Sequence, residues 1–453
     1  YLFSGIYAII ISSLHYWDML GLAVSLQLNA SCKVCGYLEQ IVPNYIISKS
    51  SEAQIRQFVG QSCLLLPTYL NNDCRQFLRT YNVTMANYLI VSKQQTELCL
   101  AIGACLDNRW TTLLQARPSS AQTQVPCQLA AMFYDPDRKL LFAGGGSDLH
   151  QDVTRPQMFV SASKGAAWRA VYNASQATFS MYGFQKLSDG SYMFIGDHGI
   201  IRSQDGTTFY KDPRSFPDLG MSSLYVNGTL FVSQVGGTYI RSTDNLQTFK
   251  TIRMQDSRVH SLRSMTHSQG AIFFGVDYLA AKADHLHESR IYKSTDNGET
   301  FRNVFKANGF GTEEQSLFSL KGLGGGVILA GTGAAAGKEM KIYRSADNGE
   351  TWAMVLDLTR LDPSLKIARS FQVAKNGTVY VALDCSYASE AGLFSDTPDE
   401  NANSQIWSSA DQGLTWSFHS RTNTKRLYWL AFDENEGGMY ASTGEYGQVK
   451  VLK

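Results

Sequence analysis

The sequence has almost no surplus of either charge. Its 453 residues include 40 Lys and Arg against 39 Asp and Glu, which gives a formal net charge of +1. A protein that binds nucleic acid is expected to carry a clear basic excess, concentrated on one surface. The balance therefore gives no reason to expect a nucleic-acid partner.

Prolines and low-complexity tracts are also scarce. Ten prolines in the whole chain and a lack of compositionally biased segments argue against long flexible linkers. Apolar and aromatic residues, by contrast, are plentiful, with 44% hydrophobic residues, 23 Tyr and 23 Phe. This composition predicts a well-packed globular protein, and the length predicts several domains or one large repeat fold.

Charge is nearly missing from residues 1–30, "YLFSGIYAIIISSLHYWDMLGLAVSLQLNA", whose single formal charge is Asp18. Two interpretations stay open. The segment is a signal peptide with "IYAIIISSL" as its apolar centre, or it is a retained hydrophobic helix, because about 28 helical residues are long enough to cross a hydrocarbon layer of ~30 Å. The second interpretation implies association with a membrane.

The eight cysteines are clustered, and six of them fall within residues 32–105. An even and clustered set favours an oxidising compartment. Asn-x-Ser/Thr sequons, each of them weak alone, point the same way. The sequons lie at Asn29, Asn82, Asn173, Asn227 and Asn376. We therefore predict a secreted or extracellular glycoprotein, with the lumen of a lysosome-like organelle as the alternative.

Residues 31–107 have the pattern of a small helical domain. Apolar residues recur at intervals of three and four, as in Val34, Leu38, Ile41 and Val42, which is typical of amphipathic helices. A Cys-x-x-Cys pair raises the alternative of a zinc site. The matching second pair is missing and the later cysteine spacings fit no usual zinc ribbon, so no metal is expected.

This layout of six cysteines among helices resembles the saposin family, of the saposin B type. The resemblance implies lipid binding on an inner apolar face, and three disulfides that each contribute ~2–4 kcal/mol. The implied pairs are Cys32–Cys105, Cys35–Cys99 and Cys63–Cys74. Six basic and four acidic residues lie between the outermost cysteines, a small excess for docking on anionic lipid. A closed structural module without lipid is the alternative.

From about residue 120 the chain consists of short β-rich runs separated by Gly and Asn or Asp turns. Seven units, each opened by a glycine-led strand such as "GTLFVSQ", recur about 40–60 residues apart. Units of this period with three or four short strands predict a β-propeller. The predicted fold class is thus α plus all-β, a disulfide-linked saposin-like helical domain followed by a seven-bladed propeller over residues 127–453.

An eight-residue turn recurs inside these units, as "STDNGETF" at 294–301, "SADNGETW" at 345–352 and "SADQGLTW" at 409–416, with weaker copies upstream. The turn resembles the Asp box, or BNR repeat, of sialidase- and sortilin-type propellers. Its carboxylate is suited to accept N–H groups of its own turn, and Asn-Gly supplies positive φ angles. We therefore predict a structural role for these carboxylates. They belong to Asp205, Asp244, Asp296, Asp347 and Asp411.

The loops between second and third strands lie on the opposite face from the Asp boxes, by strand alternation. We call this the loop face. Several of its loops are long, which is typical of binding or interface segments. Their acidic residues are candidates for a binding site, and they are Asp277, Asp284, Asp384 and Glu390. Cys127 and Cys385 also belong to this face, so a disulfide between them is predicted, with two free thiols as the alternative.

The last unit lacks an outer strand, and an extended piece of the connector 108–126 is predicted to complete it. This would close the ring of blades between the two ends of the propeller sequence.

Evidence for an enzyme is weak in this sequence. A sialidase requires converging arginines and a carboxylate acid/base, whereas Arg202, Arg241 and Arg344 occupy repeat positions on third strands and the Arg-Ile-Pro signature is absent. The histidines of "HLHE" at 285–288 lack a third metal ligand.

We predict a non-enzymatic protein without a cofactor. It associates with lipid or membrane through the N-terminal helix and the saposin-like domain, and the propeller is a scaffold for a glycan or protein ligand, or for a homo-oligomer. The alternative is a glycoside hydrolase, sialidase-like or other, acting on lipid-linked or surface glycans.

Overall fold

The computed structural model divides into two compact units, Tyr1–Asp107 and Asn108–Lys453. The residues that the structure describes are 30–41, 50–92, 97–105, 107, 109–115, 128–146, 157–173, 181–196, 199–214, 219–234, 236–278, 289–306, 315–334, 340–358, 360–362, 364–385, 404–424, 426–433, 437–443 and 448–452. The apolar segment 1–29 lies outside these ranges, so both the signal peptide and the retained helix stay predictions. Within the described ranges, no helix is both long and apolar enough to span a bilayer.

The first unit is helical. Its helix at Glu52–Gln61 begins with a capping box, in which Ser51 Oγ accepts from Gln54 N (3.3 Å) and Gln54 Oε1 accepts from Ser51 N (2.8 Å). Ile55 and Val59, one turn apart, are the buried residues of this helix. The helices are α1 at 30–41, α2 at Glu52–Gln61, α3 at Asn71–Ser92 and α4 at Leu98–Ala101, with 3₁₀ turns at Ser62–Leu65 and Thr68–Leu70.

Three disulfides link these helices. The pairs are Cys32–Cys105, Cys35–Cys99 and Cys63–Cys74, the same three that the saposin resemblance implies. Two of them close loops of 73 and 64 residues, and long loops are those for which a cross-link restricts the unfolded chain most. The small helical unit thus relies on covalent links as well as on its apolar core.

The described strands of the second unit form a propeller of seven four-stranded antiparallel blades. Five blades are separate sheets, and blades five and six are joined into one eight-stranded sheet by the pairing of Gly333 with Ile367. This confirms the predicted fold class. Blades one to three consist of β2 Gln128–Asp135, β3 Leu140–Gly146, β4 Gln157–Ser161, β5 Arg169–Asn173; β6 Met181–Lys186, β7 Tyr192–Gly196, β8 Gly199–Ser203, β9 Tyr210–Lys211; and β10 Leu219–Val226, β11 Thr229–Gln234, β12 Thr238–Ser242, β13 Lys250–Arg253.

Blades four to seven follow in the same order. They consist of β14 Val259–Ser268, β15 Ala271–Tyr278, β16 Ser289–Ser294, β17 Arg302–Lys306; β18 Gln315–Gly324, β19 Val327–Ala334, β20 Lys341–Ser345, β21 Ala353–Asp357; β22 Ile367–Val373, β23 Val379–Asp384, β24 Gln405–Ser409, β25 Ser417–Arg421; and β26 Leu427–Asp433, β27 Gly438–Thr443, β28 Gln448–Leu452, with β1 Trp110–Gln115 as the fourth strand of blade seven.

Burial falls from the inner to the outer strands of a blade. The second strands β7 and β11 are buried along their whole length, whereas the fourth strands β9, β13 and β17 are mostly exposed. The second strands are apolar on both faces because a neighbouring blade covers each side. The core therefore lies between blades. Between blades three and four, for example, the rings of Phe274 and Phe301 stack at 4.4 Å, and Phe231 meets Phe274 edge-on.

The ring is closed by β1, which pairs antiparallel with β28 from Trp110↔Leu452 to Gln115↔Gln448. The connector thus completes the last blade. Trp110 is 9% exposed and belongs to an apolar cluster that includes Leu427 and Met439 of blade seven. The fourth strand of this blade therefore comes from the sequence before blade one, and pairing fixes both ends of the propeller.

We predict that Trp110→Ala lowers the free energy of unfolding of the propeller by about 3 kcal/mol or more, because the indole fills a core cluster at the closing strand. Urea denaturation followed by tryptophan fluorescence and circular dichroism measures this. Thr112→Ala, on the exposed side of the same strand, is the control and should change the value by less than about 0.5 kcal/mol. Equal effects of the two variants would contradict the closure.

Candidate functional site

The eight-residue turn of blade four, for which the sequence predicts an Asp box, is self-contained. Ser294 Oγ donates to Asp296 Oδ1 (2.7 Å) and accepts from Gly298 N (2.9 Å). Thr300 donates to the same carboxylate through its N–H (2.9 Å) and its hydroxyl. Asn297 and Gly298 take positive φ angles of 55° and 80°, which a tight turn of this kind requires. The polar side chains of the box are therefore used within the turn.

The same contacts recur around the propeller. The Ser-to-Asp hydrogen bonds are Ser203–Asp205 (3.0 Å), Ser242–Asp244 (2.8 Å), Ser345–Asp347 (2.8 Å) and Ser409–Asp411 (2.7 Å). In blade one Ser163 stands in the aspartate position, and its Oγ accepts from Ala167 N at 2.8 Å. The contacts support the predicted structural role of these carboxylates.

Hydrogen bonds keep the box carboxylates anionic. The hydroxyl and the N–H of Thr351 lower the pKa of Asp347 from 3.8 to about 2. Hydrogen bonds from Thr207 and from Thr248 likewise hold the pKa values of Asp205 and Asp244 below the ordinary range. Donors aimed at the charged form favour it.

A basic residue directly before the box serine links each of four consecutive blades to the next one. Its side chain reaches the Asp box of the following blade and binds a carbonyl or a carboxylate there. The pairs are Arg202 to Asn245 O, Arg241 Nη1 to Glu299 Oε1 (2.7 Å), Lys293 Nζ to Asn348 O (2.7 Å) and Arg344 Nε to Gln412 O (2.9 Å). These three arginines and Lys293 thus link neighbouring blades at the Asp-box end, and they do not form a common anion site.

Of the four predicted loop-face carboxylates, Asp384 is the one whose side chain is described. It is fully buried, and its Oδ2 accepts from Arg369 Nε at 2.9 Å. Asp277 pairs with Ser261 and Ser289 in the sheet, but its side chain lies outside the described part. Asp284 and Glu390 also lie outside it.

The predicted link between Cys127 and Cys385 involves one undescribed residue, Cys127. Cys385 follows β23 at the loop face, and its Sγ lies 3.5 Å from Ser404 Oγ. The disulfide stays a prediction.

Every first strand carries a register shift near its start, where it borders the central channel. In blades four to seven the residue inside the shift is Arg263, Phe318, Arg369 and Tyr428, respectively. A bulge of this kind re-aims one side chain out of the alternating pattern. We call these four residues the channel arc. They lie at the loop-face end of the channel, because first strands begin where second strands end.

Arg369 is the centre of the channel arc. Its guanidinium carbon lies 5.1 Å from the ring centroid of Phe318 in the preceding blade and 4.9 Å from that of Tyr428 in the following blade. Its Nε is bound to the buried carboxylate of Asp384. The side chain is 15% exposed. A charged plane is thus held between two aromatic rings and aligned from behind by an ion pair.

Neighbouring members of the channel arc are held at fixed spacing. The guanidinium carbon of Arg263 lies 5.6 Å from the ring centroid of Phe318. The Phe318 ring is therefore close to both arginines of the arc. The serine after the bulge donates to the next blade, from Ser264 Oγ to Leu317 O (3.0 Å) and from Ser319 Oγ to Ala368 O (2.7 Å). These bonds join the first strands of blades four, five and six next to their bulges.

A weak sequence pattern marks this arc, although the repeat motifs did not predict it. The triplets "LRS" at 262–264, "LFS" at 317–319 and "ARS" at 368–370 recur at the first strand of successive blades. Each combines an apolar residue, the bulged residue and a serine, and in the first two triplets this serine makes the bond to the next blade. Their meaning depends on the bulge, which the simple alternation of a strand does not predict.

Three of the predicted glycosylation sites are exposed, namely Asn82 on α3, Asn227 in a hairpin turn and Asn376 in another. Asn173 ends β5 with its side chain undescribed, and Asn29 lies outside the described ranges. Within those ranges no group of three His, Cys, Asp or Glu side chains has the geometry of a metal site. The segment "HLHE" lies outside them.

The similarity of this chain to known proteins is confined to its fold. No family model and no curated protein matches the chain. It is similar to the extracellular domain of the putative hybrid two component system BT4673 from B. thetaiotaomicron, with a TM-score of 0.52 and 11% identity over 76% of this chain and 40% of that one. It is also similar to the extracellular domain of the putative one component system BT4673, with a TM-score of 0.51 and 10% identity over 75% of this chain and 39% of that one.

"YCF48 bound to D1 peptide" is also similar, with a TM-score of 0.49, 13% identity and coverage of 77% and 96%. The two BT4673 structures are β-propellers, and they support the propeller architecture. The chain spans about two fifths of their length.

We predict that Asp347→Asn lowers the urea midpoint of the propeller at pH 7, and that the gap to the parent protein closes on acidification. The pKa of Asp347 is lower in the folded state, so its charge stabilises the fold above about pH 4 and this contribution is lost as the pH falls toward 2. Denaturation curves at stepwise lower pH test this. A gap of unchanged size at pH 2 would contradict it.

We also predict that Arg369 and Asp384 are energetically coupled. A double-mutant cycle with Arg369→Gln and Asp384→Asn should give an interaction energy of about 1–3 kcal/mol, because both groups are withdrawn from water. Arg258 and Asp256 form an ion pair at 2.8 Å in which the arginine is exposed. This pair serves as the control, with an expected coupling below about 1 kcal/mol. Additive effects at Arg369 and Asp384 would show that the ion pair does not orient the guanidinium.

Proposed function

We propose that this chain is a non-enzymatic, extracytoplasmic binding glycoprotein. Its saposin-like unit associates with lipid, and its Asp-box propeller is the scaffold that presents a ligand site or joins copies of the chain. Three disulfides and exposed sequons support an oxidising, lumenal or extracellular compartment. The saposin and Asp-box assignments are part of this proposal. They are supported by the disulfide pairs and by the recurring box contacts.

The observation that carries lipid association is an exposed apolar segment in the helical unit. Between Cys63 and Cys74, Leu64 is 80% exposed, Leu65 41% and Tyr69 68%. Leu66 and Leu70 of the same segment are buried, so the backbone is anchored while three large apolar side chains face water. Apolar side chains of this size grouped at the end of a disulfide-closed hairpin are suited to enter the acyl boundary of a membrane.

The charge of the helical unit indicates the kind of membrane. Its excess of two positive charges between Cys32 and Cys105 is small compared with the basic clusters that drive binding to anionic lipid. Apolar insertion should therefore supply most of the affinity, and zwitterionic vesicles should be bound nearly as well as anionic ones.

The hydrolase alternative receives no support from the described carboxylate of the loop face. Asp384 is fully buried and engaged by Arg369, whereas a general acid or a nucleophile must reach the glycosidic bond. This carboxylate instead orients a guanidinium, which is a feature of a binding site.

We predict that the double substitution Leu64→Ser and Leu65→Ser weakens binding to phosphatidylcholine vesicles by about tenfold or more, because a buried leucine contributes ~1.5–3 kcal/mol when it leaves water. Vesicle co-sedimentation of the full chain measures the change. Leu414→Ser removes a leucine of similar exposure, 54%, from the propeller and should leave binding unchanged. Equal binding by the parent chain, the double variant and Leu414→Ser would contradict a role of Leu64 and Leu65 in lipid binding. No binding by the parent chain would contradict lipid association itself.

A further inference from the structure

We infer that the channel arc, Arg263, Phe318, Arg369 and Tyr428, is a binding site for a carboxylate group of a ligand that enters the propeller from the loop face. The inference rests on the proposed function, in which the propeller is a binding scaffold, and it names the chemistry that this scaffold recognises.

The guanidinium of Arg369 is preorganised for such a ligand. Its Nε bond to Asp384 and its two aromatic neighbours fix the plane. Among the described residues, the hydrogen bonds of Arg369 involve Nε and leave its two Nη atoms without an acceptor. A planar fork of N–H donors matches the two oxygens of a carboxylate. Little side-chain entropy is left to lose on binding because the fork is already held.

The charge of the arc favours an anion. Arg263 lies beside Phe318 and adds a second positive charge, while Asp384 is the acidic partner on the arc. Arg426, whose Nη1 lies 3.4 Å from Tyr428 OH, is a third guanidinium at the edge. Guanidinium groups therefore border both rings that flank Arg369. Charges beside aromatic walls are screened less than charges on an open surface.

The rings of Phe318 and Tyr428 favour ligands in which an apolar group is attached to the carboxylate. Phe318 and Tyr428 are partly exposed beside the guanidinium, so the group next to the carboxylate contacts apolar faces. A free carboxyl end of a peptide and the carboxylate of an acidic sugar both present such a group, through an apolar side chain in one case and the C–H face of the ring in the other. The shared feature is the carboxylate, and the two sources are separated by experiment.

The test uses the full chain and two matched ligand pairs. N-acetylphenylalanine is compared with N-acetylphenylalaninamide, and glucuronate with glucose, by isothermal titration or by saturation-transfer NMR. We expect the carboxylate of at least one pair to bind and its neutral counterpart to bind about tenfold more weakly or not at all. Binding of the amino-acid pair alone assigns a peptide end, and binding of the sugar pair alone assigns an acidic glycan.

The variants locate the site. Arg369→Lys keeps a charge beside Asp384 but removes the planar fork, and it should weaken binding by about tenfold. Arg302→Lys, on the exposed outer strand of blade four, is the matched control and should bind like the parent. Phe318→Leu changes no charge and should also weaken binding, so the inference stays testable even where Arg369→Lys proves unstable.

Failure of this inference is separable from failure of the proposed function. Folded protein that binds neither carboxylate, or binds it equally well with Arg369→Lys and Phe318→Leu, overturns the carboxylate site. Vesicle binding, measured on the same preparations, depends on Leu64 and Leu65 and should be the same for Arg369→Lys. Carboxylate binding without vesicle binding would keep the site and reject lipid association.

Discussion

The propeller depends on the pairing of two strands that are far apart in the sequence, β1 at Trp110–Gln115 and β28 at Gln448–Leu452. The second strands are buried on both faces only because a neighbouring blade covers each side. An open ring would leave blades one and seven with an uncovered apolar face and an unpaired edge. Closure therefore fixes the spacing of all blades. It also fixes the channel arc, since Arg369 touches rings that belong to the blades before and after it.

Within the closed ring, the two ends of the channel use their polar side chains differently. At the Asp-box end, carboxylates, hydroxyls and basic side chains are used up within turns or in clamps between blades, as in the contact from Lys293 to Asn348 and Glu350. At the loop-face end, bulges turn side chains out of the sheet pattern, and a guanidinium stands between aromatic rings. The difference follows from strand register. A regular strand places its side chains alternately against the two neighbouring blades, whereas a bulge interrupts this alternation and re-aims one side chain.

Much of the architecture could be predicted from the sequence because it repeats. The Asp box at 294–301 and its copies mark a turn whose hydrogen bonds are local, and the glycine-led strands set the number of blades. The channel arc could not be predicted in this way. Asp384 was recognisable as a loop-face carboxylate, but its partner Arg369 lies 15 residues earlier, and the rings on either side of that arginine come from two other blades. Such contacts depend on tertiary spacing and on a bulge, neither of which leaves a periodic signal.

In the proposed site, the loop-face end of the channel holds the oriented guanidinium of Arg369, ready for a carboxylate. A crystal structure of the full chain soaked with N-acetylphenylalanine or glucuronate tests it most directly. We expect a carboxylate within ~3 Å of the Nη atoms of Arg369, with the attached group against Phe318 or Tyr428 and with Asp384 still bound to Nε. A structure in which a protein acceptor occupies those Nη atoms, or in which the ligand binds elsewhere, would contradict it.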